Sequence, residues 1–483
     1  MASDTVPARS RPQHSPGGHL LALLLALLLA LGGCAADPVA QRVDPIVAQG
    51  AAPSPGALAR DLDLVNHRGR LKRAERERLL ARVAAQGDGE LVRRHLAVMS
   101  SFGDADLYPG NRARLLVDGP ATFAAMFAAI EQARHSVLLE SYIVEDAEVA
   151  ERLAALLARK RAEGVAVALM YDAVGSIGTS GAFFDRLRAD GIAVCEFNPI
   201  APGATRGSYW NISHRDHRKI LVVDRETGFT GGINISAVYS SGSFGRRGKP
   251  RDPDAGWRDT QIELRGPAAA ALEDLVRQTW QRQQCPGELA PALKPAAAAT
   301  GQQLVRIVPS GPAEPYSRLY TLLLGAIDAA QRSVHLTMAY FAPTPEMIDA
   351  LAEAAQRGVD VQLVLPSRSD FRPVLHAGRS HYERLLAAGV QIHELQDAVL
   401  HAKTAVIDGV VSSVGSSNLD WRSLVLNDEV DAFVVGADFG ETMEALFRRD
   451  LAASETVTLQ AWRQRPWWQR AGEGLARMFE RWW

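Results

Sequence analysis

A pattern of five residues that occurs twice is the feature of this sequence best suited to chemistry. Each copy places Lys, Asp, Gly and Asn at offsets +2, +7, +14 and +17 from a histidine. A single His-x-Lys is common by chance, but two copies of one polar pattern predict two half-sites that combine into one site. The repeated residues are His217, Lys219, Asp224, Gly231 and Asn234 in the first copy, and His401, Lys403, Asp408, Gly415 and Asn418 in the second.

The repeated side chains have the chemistry of a site for a tetrahedral anion. The lysines, with Asn234 and Asn418, offer hydrogen-bond donors suited to phosphate oxygens. One histidine could attack phosphorus, while the other protonates the leaving oxygen and later deprotonates the acceptor. Because lysine and asparagine would stabilise charge on the non-bridging oxygens, this chemistry requires neither a metal nor an organic cofactor.

The segments that begin at each histidine are predicted to be β-strands. Residues 217–224 and 401–408 are rich in β-branched and aliphatic side chains and end in turn-forming residues. Because alternate residues of a strand share a face, the histidine and lysine of each copy point together. Asp224 and Asp408 belong to the catalytic motif, but their odd offset turns them to the other face and predicts a structural role.

Two acidic residues are candidates for orienting the histidines. Asp259 follows Trp257 by two residues, and Glu429 ends the string Asn-Asp-Glu. A carboxylate bonded to the far nitrogen of an imidazole fixes its tautomer and raises its basicity. The sequence leaves open which histidine each carboxylate serves.

Zinc binding is the alternative interpretation of the first motif. His214 and His217 are spaced as a His-x-x-His pair. The chain lacks a second ligand pair at matching spacing, which argues against zinc. We therefore expect His214 at a strand edge or behind the site.

These motifs make the chain resemble the phospholipase D superfamily, whose two-lobed members carry HxKxxxxD twice, and within it the bacterial cardiolipin synthases. The resemblance covers roughly residues 110–450. The motifs are far more specific for the superfamily than for cardiolipin synthesis over phospholipid hydrolysis. The strings that carry the resemblance, besides the histidine motifs, are Leu139–Ile143, Phe197–Pro199, Phe229–Ser236, Trp257–Thr260, Gly415–Ser423 and Asn427–Glu429.

The resemblance implies a ping-pong reaction through a phosphohistidine. It makes His217 the nucleophile and His401 the general acid and base, an order that two chemically alike copies leave open. Cardiolipin synthases of this type take two phosphatidylglycerols, so a phospholipid is the expected substrate and the membrane the expected location. The first lipid would release glycerol on forming the adduct, and the second would supply the accepting hydroxyl.

Three other functions are compatible with the same motifs to different degrees. With water as the acceptor, the protein would be a phospholipase D hydrolase that releases phosphatidic acid. A phosphodiesterase acting on nucleic acid is disfavoured by the net charge of −2 and the lack of a long basic tract. A lipid-binding protein without activity is disfavoured because both copies retain all of their polar residues.

A weaker repeat around the motifs predicts the fold. The Ala-rich helical segment 129–137 resembles 326–334, and each runs into an aliphatic strand. Helices that alternate with strands predict α/β lobes, each a mostly parallel sheet flanked by helices. We expect two similar phospholipase D-like lobes, at 110–290 and 302–455, that form a pseudo-twofold pseudo-dimer. Residues 286–301 are the expected linker.

The first 34 residues predict an export signal. Arg9 and Arg11 precede an apolar run, Leu20–Leu31, that is too short for a typical transmembrane helix. Leu31-Gly-Gly-Cys34 resembles a lipobox, so we expect lipidation of Cys34, with a plain signal or anchor as the alternative. This predicts an exported lipoprotein tethered on the periplasmic side. Because Ala35 follows the cysteine, the outer membrane is favoured if the source is Gram-negative.

Two further segments and a cysteine pair add three more predictions. Residues 35–66 are expected to form a flexible tether, and residues 67–109 a helical N-terminal region. Cys195 and Cys285 form either a disulfide or two buried free thiols.

The C-terminal tail, residues 456–483, has an unusual composition. Five of the nine tryptophans lie in the last 22 residues, interleaved with arginines. Trp468, Leu475, Phe479 and Trp482 recur at helical spacing. This pattern predicts an amphipathic helix at a membrane interface, with a helix packed on the protein body as the alternative.

Overall fold

The computed structural model describes residues 45–102, 106–200, 213–243, 256–293 and 297–482. The predicted signal segment, Cys34 and the first part of the expected tether lie outside the described residues.

Helices alternate with strands along most of the described chain, as the repeat predicts. The strands are β1 (Val65–Asn66), β2 (Gly69–Arg70), β3 (Leu107–Val117), β4 (Ser136–Ser141), β5 (Ala166–Asp172), β6 (Ala193–Phe197), β7 (Arg215–Asp216), β8 (Lys219–Val223), β9 (Thr227–Gly231), β10 (Thr260–Arg265), β11 (Gln303–Ser310), β12 (Ser333–Met338), β13 (Asp360–Pro366), β14 (Gln391–Leu395), β15 (Lys403–Ile407), β16 (Val411–Gly415), β17 (Asn427–Val435) and β18 (Ser454–Val457). The α-helices are α1 (Pro45–Gln49), α2 (Pro55–Asp61), α3 (Arg73–Ala84), α4 (Gly89–Ser101), α5 (Asp118–Glu131), α6 (Glu148–Ala162), α7 (Gly181–Ala189), α8 (Pro267–Arg282), α9 (Arg318–Ala329), α10 (Pro345–Gln356), α11 (Arg372–Arg379), α12 (Tyr382–Ala388), α13 (Trp421–Val425), α14 (Ala437–Ala452), α15 (Leu459–Arg463) and α16 (Trp467–Met478), with 3-10 turns at Ala237–Tyr239 and Glu480–Trp482.

One sheet continues through both halves of the molecule. Its strand order is β18-β14-β13-β12-β15-β16-β17-β11-β3-β10-β9-β8-β4-β5-β6. β11 and β3 pair antiparallel at the centre, and the order of strands repeats outward from that pair on each side. This arrangement confirms the predicted α/β class with two similar lobes.

Parallel and antiparallel pairs occupy different parts of each half. The outer strands β4, β5 and β6 are parallel, as are β12, β13 and β14, because helices cross over between them. The inner strands are antiparallel, since short turns connect β8 to β9 and β15 to β16. The predicted parallel pairing therefore describes the outer strands, and each lobe as a whole is mixed.

The sheet has apolar cores on both of its faces. One core contains Phe123 of α5, Leu153 of α6 and Phe183 of α7. The other contains Leu272 of α8 and Phe439 of α14. Strands covered on both faces are apolar without alternation, which explains why the segments after the motif lysines are continuous aliphatic runs.

The N-terminal segment packs on the second lobe from Pro45 onward. Leu58, Leu62 and Leu64 are buried in a cluster with side chains of α4 and α9. The prediction of a flexible tether is therefore wrong for its described part, because these leucines supply apolar surface within an Ala/Pro-rich segment. The expected helical region contains α3 and α4, and β3 begins at Leu107, slightly before the expected boundary of the first lobe.

Cys195 of β6 forms a disulfide with Cys285, three residues after the end of α8. The bond decides between the two alternatives that the sequence leaves open. The expected linker, of which residues 294–296 are not described, leads from this disulfide to β11.

The C-terminal tail forms α15 and α16. Trp462 is buried and stacks on Tyr382, with ring centroids 4.7 Å apart, whereas Trp467 and Trp468 are exposed. The packed-helix alternative therefore describes α15, and the membrane-interface alternative stays a prediction for α16. Across the described ranges, no helix has the combination of length and apolar character needed to cross a bilayer.

Candidate active site

The two motif histidines meet at one cavity of about 610 Å³. His217 lies between β7 and β8, and His401 lies two residues before β15. Both line the cavity, together with Asn234 and Asn418. The structure thus brings together the predicted half-sites of the two lobes.

Backbone pairing between the lobes sets the position of each histidine. β7 pairs in parallel with the start of β17, and the His217 N–H donates to the carbonyl of Asp428 at 2.9 Å. In the other half, Arg258 forms a parallel bridge with Leu400, and the His401 N–H donates to the Arg258 carbonyl at 2.8 Å. His217 is therefore held beside Asp428, the residue before Glu429. His401 is held beside Arg258, the residue before Asp259.

Each imidazole contacts a buried carboxylate from the opposite lobe. His217 Nδ1 lies 3.0 Å from Glu429 Oε1, and His401 Nδ1 lies 2.7 Å from Asp259 Oδ2. An ionised carboxylate only accepts hydrogen bonds, so these contacts place the proton of a neutral ring on Nδ1 and leave Nε2 for substrate. The pairing that the sequence leaves open is thus crossed between the lobes.

The motif lysines are buried beside the histidines. Lys219 Nζ donates to the His217 carbonyl at 2.5 Å, and Lys403 Nζ donates to the His401 carbonyl. Burial lowers the pKa of Lys219 to about 7; the Glu429 carboxylate opposes this shift and the Lys403 ammonium adds to it. Burial also lowers the pKa of Lys403. Two lysines buried in one site favour the binding of an anion, because an anion would offset the positive charge of their ammonium groups.

Burial also favours the neutral form of both imidazoles. It lowers the pKa of His217 to about 4, against the opposing effect of Glu429. Burial, followed by the Lys403 ammonium, lowers the pKa of His401. A neutral imidazole presents the lone pair that a nucleophile needs. A bound phosphodiester anion would raise both pKa values and so help one ring to carry the proton of a general acid.

The two asparagines lie in equivalent turns after β9 and β16. Asn234 Oδ1 accepts from the Ile143 N–H at 3.2 Å, and the Asn418 N–H donates to Ser423 Oγ at 3.2 Å. The side-chain oxygen of Asn418 is buried without a hydrogen-bond partner in the described part of the chain. The Nδ2 donors of both side chains, not their Oδ1 acceptors, are the candidates for binding phosphate oxygens at the cavity wall.

The glycines of these turns leave room for buried acids. A Cβ at Gly232 would lie 2.1 Å from Asp259 Oδ1, and a Cβ at Gly415 would lie 1.8 Å from Asp431 Oδ1. Such contacts are impossible for real atoms, so the turns require glycine at these positions.

The motif aspartates lie away from the cavity, at the far ends of β8 and β15. Asp224 accepts three backbone N–H groups, from residues 134–136, at 2.7–2.8 Å. Asp408 accepts those of residues 331–333 and also contacts His95 Nε2 at 2.9 Å. Both stand in the left-handed conformation, with φ of 53° and 54°. They anchor turns, as their odd offset predicts, and their grouping with the catalytic residues is corrected.

Aromatic side chains that the sequence reasoning missed surround the imidazoles. The ring of Tyr142 meets His217 edge-on at 4.9 Å between centroids, and the Tyr239 hydroxyl lies 3.0 Å from His401 Nδ1. The ring of Trp257 lies 5.2 Å from that of His401. Tyr142 and Trp257 stand inside the strings that carry the family resemblance, which was the available signal. Tyr239 had no such signal.

His214 lies behind the site. Its Nε2 is 3.4 Å from Asp428 Oδ2, and its ring packs edge-on against Phe197 at 5.3 Å. The residues described in the structure contain no group of three or more His, Cys, Asp or Glu side chains arranged to hold a metal ion.

Comparison with known proteins identifies relatives of both lobes. The family described as "Cardiolipin synthase, PLD-like domain" matches residues 126–241 and 323–451. The cardiolipin synthase of Geobacillus kaustophilus (strain HTA426) is 35% identical over 371 residues, which are 75% of this chain and 71% of that protein. Cardiolipin synthase A of Pseudomonas fluorescens (strain SBW25) is 36% identical over 386 residues, 79% of this chain and 77% of that protein.

A solved structure shares the fold at low sequence identity. The phosphatidylserine synthase of Haemophilus influenzae Rd KW20 superimposes with a TM-score of 0.55 and 12% identity. The match covers 76% of this chain and 93% of that one. It supports the two-lobed arrangement.

Proposed function

The chain belongs to the cardiolipin synthase family of phospholipase D-like enzymes, and we propose that it condenses two phosphatidylglycerols to cardiolipin and glycerol. The observation that carries the proposal is the pair of imidazoles at one cavity, each bonded through Nδ1 to a carboxylate of the other lobe. This geometry supplies a nucleophile and a proton carrier from two separate chain segments.

In the first half-reaction, Nε2 of His217 attacks the phosphorus of one phosphatidylglycerol. The bond from phosphorus to the headgroup glycerol oxygen breaks, and His401 gives that oxygen its proton. The products are free glycerol and a phosphatidyl group bonded to His217. Two histidines serve better than one here, because the entering and leaving groups lie on opposite sides of phosphorus.

In the second half-reaction, His401 is neutral and takes the proton of a glycerol hydroxyl on a second phosphatidylglycerol. That oxygen attacks phosphorus, the bond to His217 breaks, and cardiolipin leaves a regenerated site. Asn234 and Asn418 donate to the non-bridging oxygens during both steps, while Lys219 and Lys403 provide positive charge from behind the imidazoles. Asp259 and Glu429 hold the rings in the reactive tautomer.

We also propose that the protein is an exported lipoprotein, tethered through Cys34 on the periplasmic side of a membrane. Support comes from the lipobox-like string and from the disulfide between Cys195 and Cys285, since such bonds persist in oxidising compartments. Labelling cells with a fatty acid should mark the wild-type protein and leave a Cys34→Ala variant unmarked. Equal labelling of both would refute the assignment of Cys34.

The proposed reaction is tested by incubating the protein without residues 1–34 with phosphatidylglycerol vesicles and analysing the lipids by mass spectrometry. This truncation leaves the compact unit Ala40–Trp483 whole. We expect cardiolipin and glycerol, with and without EDTA, and no product from His217→Ala. Phosphatidic acid instead would make the protein a hydrolase, and an unchanged lipid would overturn the proposal.

A further inference from the structure

The large apolar side chains exposed on the described surface include two that line the cavity and two in segments that contribute to its wall. Val238 and Phe371 line the cavity itself. Ile177, which is 73% exposed, lies in a loop whose neighbouring residues line the cavity. Val425 ends α13, a helix that contributes two other residues to the cavity wall. Four separate chain segments at the cavity therefore each carry an exposed apolar side chain, and these four side chains are called the rim.

The remaining exposed apolar side chains form a stripe on α16. Trp467, Trp468, Leu475 and Met478 are 59–75% exposed. At 3.6 residues per turn, these four fall within an arc of about 100°. The stripe differs from the face that the sequence predicts, because Phe479 is half-buried and Trp467 and Met478 complete the stripe. The side chain of Trp482 lies outside the described residues.

α16 presents this stripe outward because its polar side is attached to the protein. The buried residue of the helix is Glu473, which bonds Arg465. In the following turn, Glu480 contacts His381 Nε2 at 3.2 Å. A helix on the surface of a globular protein normally does the opposite and buries its apolar side. An apolar stripe held outward by buried polar contacts indicates a surface that meets an apolar partner.

The helix that carries the stripe packs beside chain segments that carry the rim. α16 packs on α11, which begins at the residue after Phe371. The 3-10 turn that follows α16 contacts α13, the helix that ends at Val425. α16 and the turn that follows it therefore contact two helices that contribute to the cavity wall.

We infer that the cavity mouth and α16 together form a docking surface for an anionic phospholipid bilayer. This inference rests on the proposed function, because the acyl chains of a phosphatidyl donor lie in a bilayer. Tryptophan prefers the interface between headgroups and acyl chains. Arg470 and Arg477 lie to one side of the stripe and form no ion pair within the described residues, so their charge complements anionic headgroups.

Docking by this surface explains how a buried site reaches an insoluble substrate. The rim would lie at the level of the headgroups, and a lipid headgroup would enter the cavity while its acyl chains stay in the bilayer. Turnover of lipid in vesicles should therefore depend on the stripe. Turnover of a water-soluble phosphodiester, which needs no docking, should not.

The test compares the protein without residues 1–34 with its variant Trp467→Ser/Trp468→Ser/Leu475→Ser/Met478→Ser. All four positions are exposed, so folding should be preserved, and Gln469→Ser on the same helix but off the stripe is the matched control. We expect at least about ten-fold weaker binding to phosphatidylglycerol vesicles and a similar fall in lipid turnover. Hydrolysis of bis(p-nitrophenyl) phosphate should stay within about two-fold of wild type. Unchanged vesicle binding would overturn the inference.

A second measurement starts from the wild-type protein and uses a more conservative variant. Vesicles whose acyl chains carry bromine should quench the fluorescence of the wild-type protein, and Trp467→Phe/Trp468→Phe should lose most of that quenching. No quenching of wild type would overturn the inference. The two proposals fail separately: binding without any lipid product refutes only the proposed function, whereas cardiolipin synthesis that is insensitive to the stripe refutes only the docking surface.

Discussion

The two half-sites place their imidazoles on matching backbone but surround them with different groups. In the first, His217 Nδ1 lies 3.0 and 3.1 Å from the two oxygens of Glu429, which also accepts from Ser416 Oγ at 2.5 Å. In the second, Nδ1 of His401 is shared, since Tyr239 Oη and Lys403 Nζ both lie 3.0 Å from it, beside the nearer Asp259.

This difference shows how two copies of one motif can take different roles in a single reaction. The backbone contacts that place each imidazole are equivalent in the two lobes, but the side chains around the rings are not. A ring whose Nδ1 faces both oxygens of one carboxylate keeps its Nε2 lone pair available for attack on phosphorus. In the second ring, Asp259 favours the protonated form and the Lys403 ammonium opposes it, so a bound anion that offsets this ammonium would allow the ring to act as a general acid.

The largest effect is expected when each imidazole is removed in turn and substrates with different leaving groups are compared. This experiment tests whether the two histidines have different roles. His217→Ala should remove essentially all turnover of every substrate, because no adduct forms. His401→Ala should lower lipid turnover by roughly 10³-fold but spare much of the adduct formed from a p-nitrophenyl diester, whose leaving group needs no acid. Single-turnover release of p-nitrophenol measures the difference.

The opposite result would reverse the assignment. If His401→Ala blocks p-nitrophenol release and His217→Ala spares it, His401 is the nucleophile. A variant with either histidine replaced that keeps more than about a tenth of wild-type lipid turnover would contradict a direct role for that residue.

Replacing each carboxylate by an amide should have a smaller effect on kcat/KM. The loss should also differ between the two half-sites. Glu429→Gln should lower kcat/KM by about 10²-fold for both activated and lipid substrates, because the His217 ring loses its orienting anion. Asp259→Asn should lower it by a similar factor for the lipid but far less for the p-nitrophenyl diester. Equal losses on both substrates in both variants would show that the two carboxylates do the same work.

A second difference between the lobes concerns stability. Gln261 and Asp431 face the equivalent glycines Gly231 and Gly415 across the sheet. Gln261 Oε1 accepts from the Ile233 N–H at 3.2 Å. Burial raises the pKa of Asp431 to about 7, against its hydrogen bonds from nearby serines. The first lobe thus uses a neutral amide where the second uses an acid.

Asp431→Asn should therefore make the protein's stability less dependent on pH. The folded state keeps the Asp431 proton that the unfolded chain releases near pH 4, so stability falls as pH rises from about 4 to about 7. The drop in melting temperature between pH 5 and pH 8 should be a few degrees smaller in the variant than in wild type. Gln261→Glu, which places an acid in the first lobe, should enlarge the drop, and an unchanged drop in both would contradict the pKa shift.

The sequence by itself determined the features that depend on local periodicity. Alternation along a strand predicts that His217 and Lys219 share a face and that Asp224 lies on the other. The same spacing gives the same arrangement in the second motif. The repeat of helix and strand determined two α/β lobes. These predictions succeed because residues a few positions apart in a regular element have fixed relative directions.

Only the tertiary structure decided which groups meet across the two lobes. Glu429 reaches His217 over 212 residues of chain because β7 pairs with β17, and no local spacing encodes that pairing. The packing of Leu58 and the outward direction of the α16 stripe were decided in the same way. Each depends on contacts between residues far apart in the sequence. Such contacts form only when the chain folds, and local sequence preferences do not determine them.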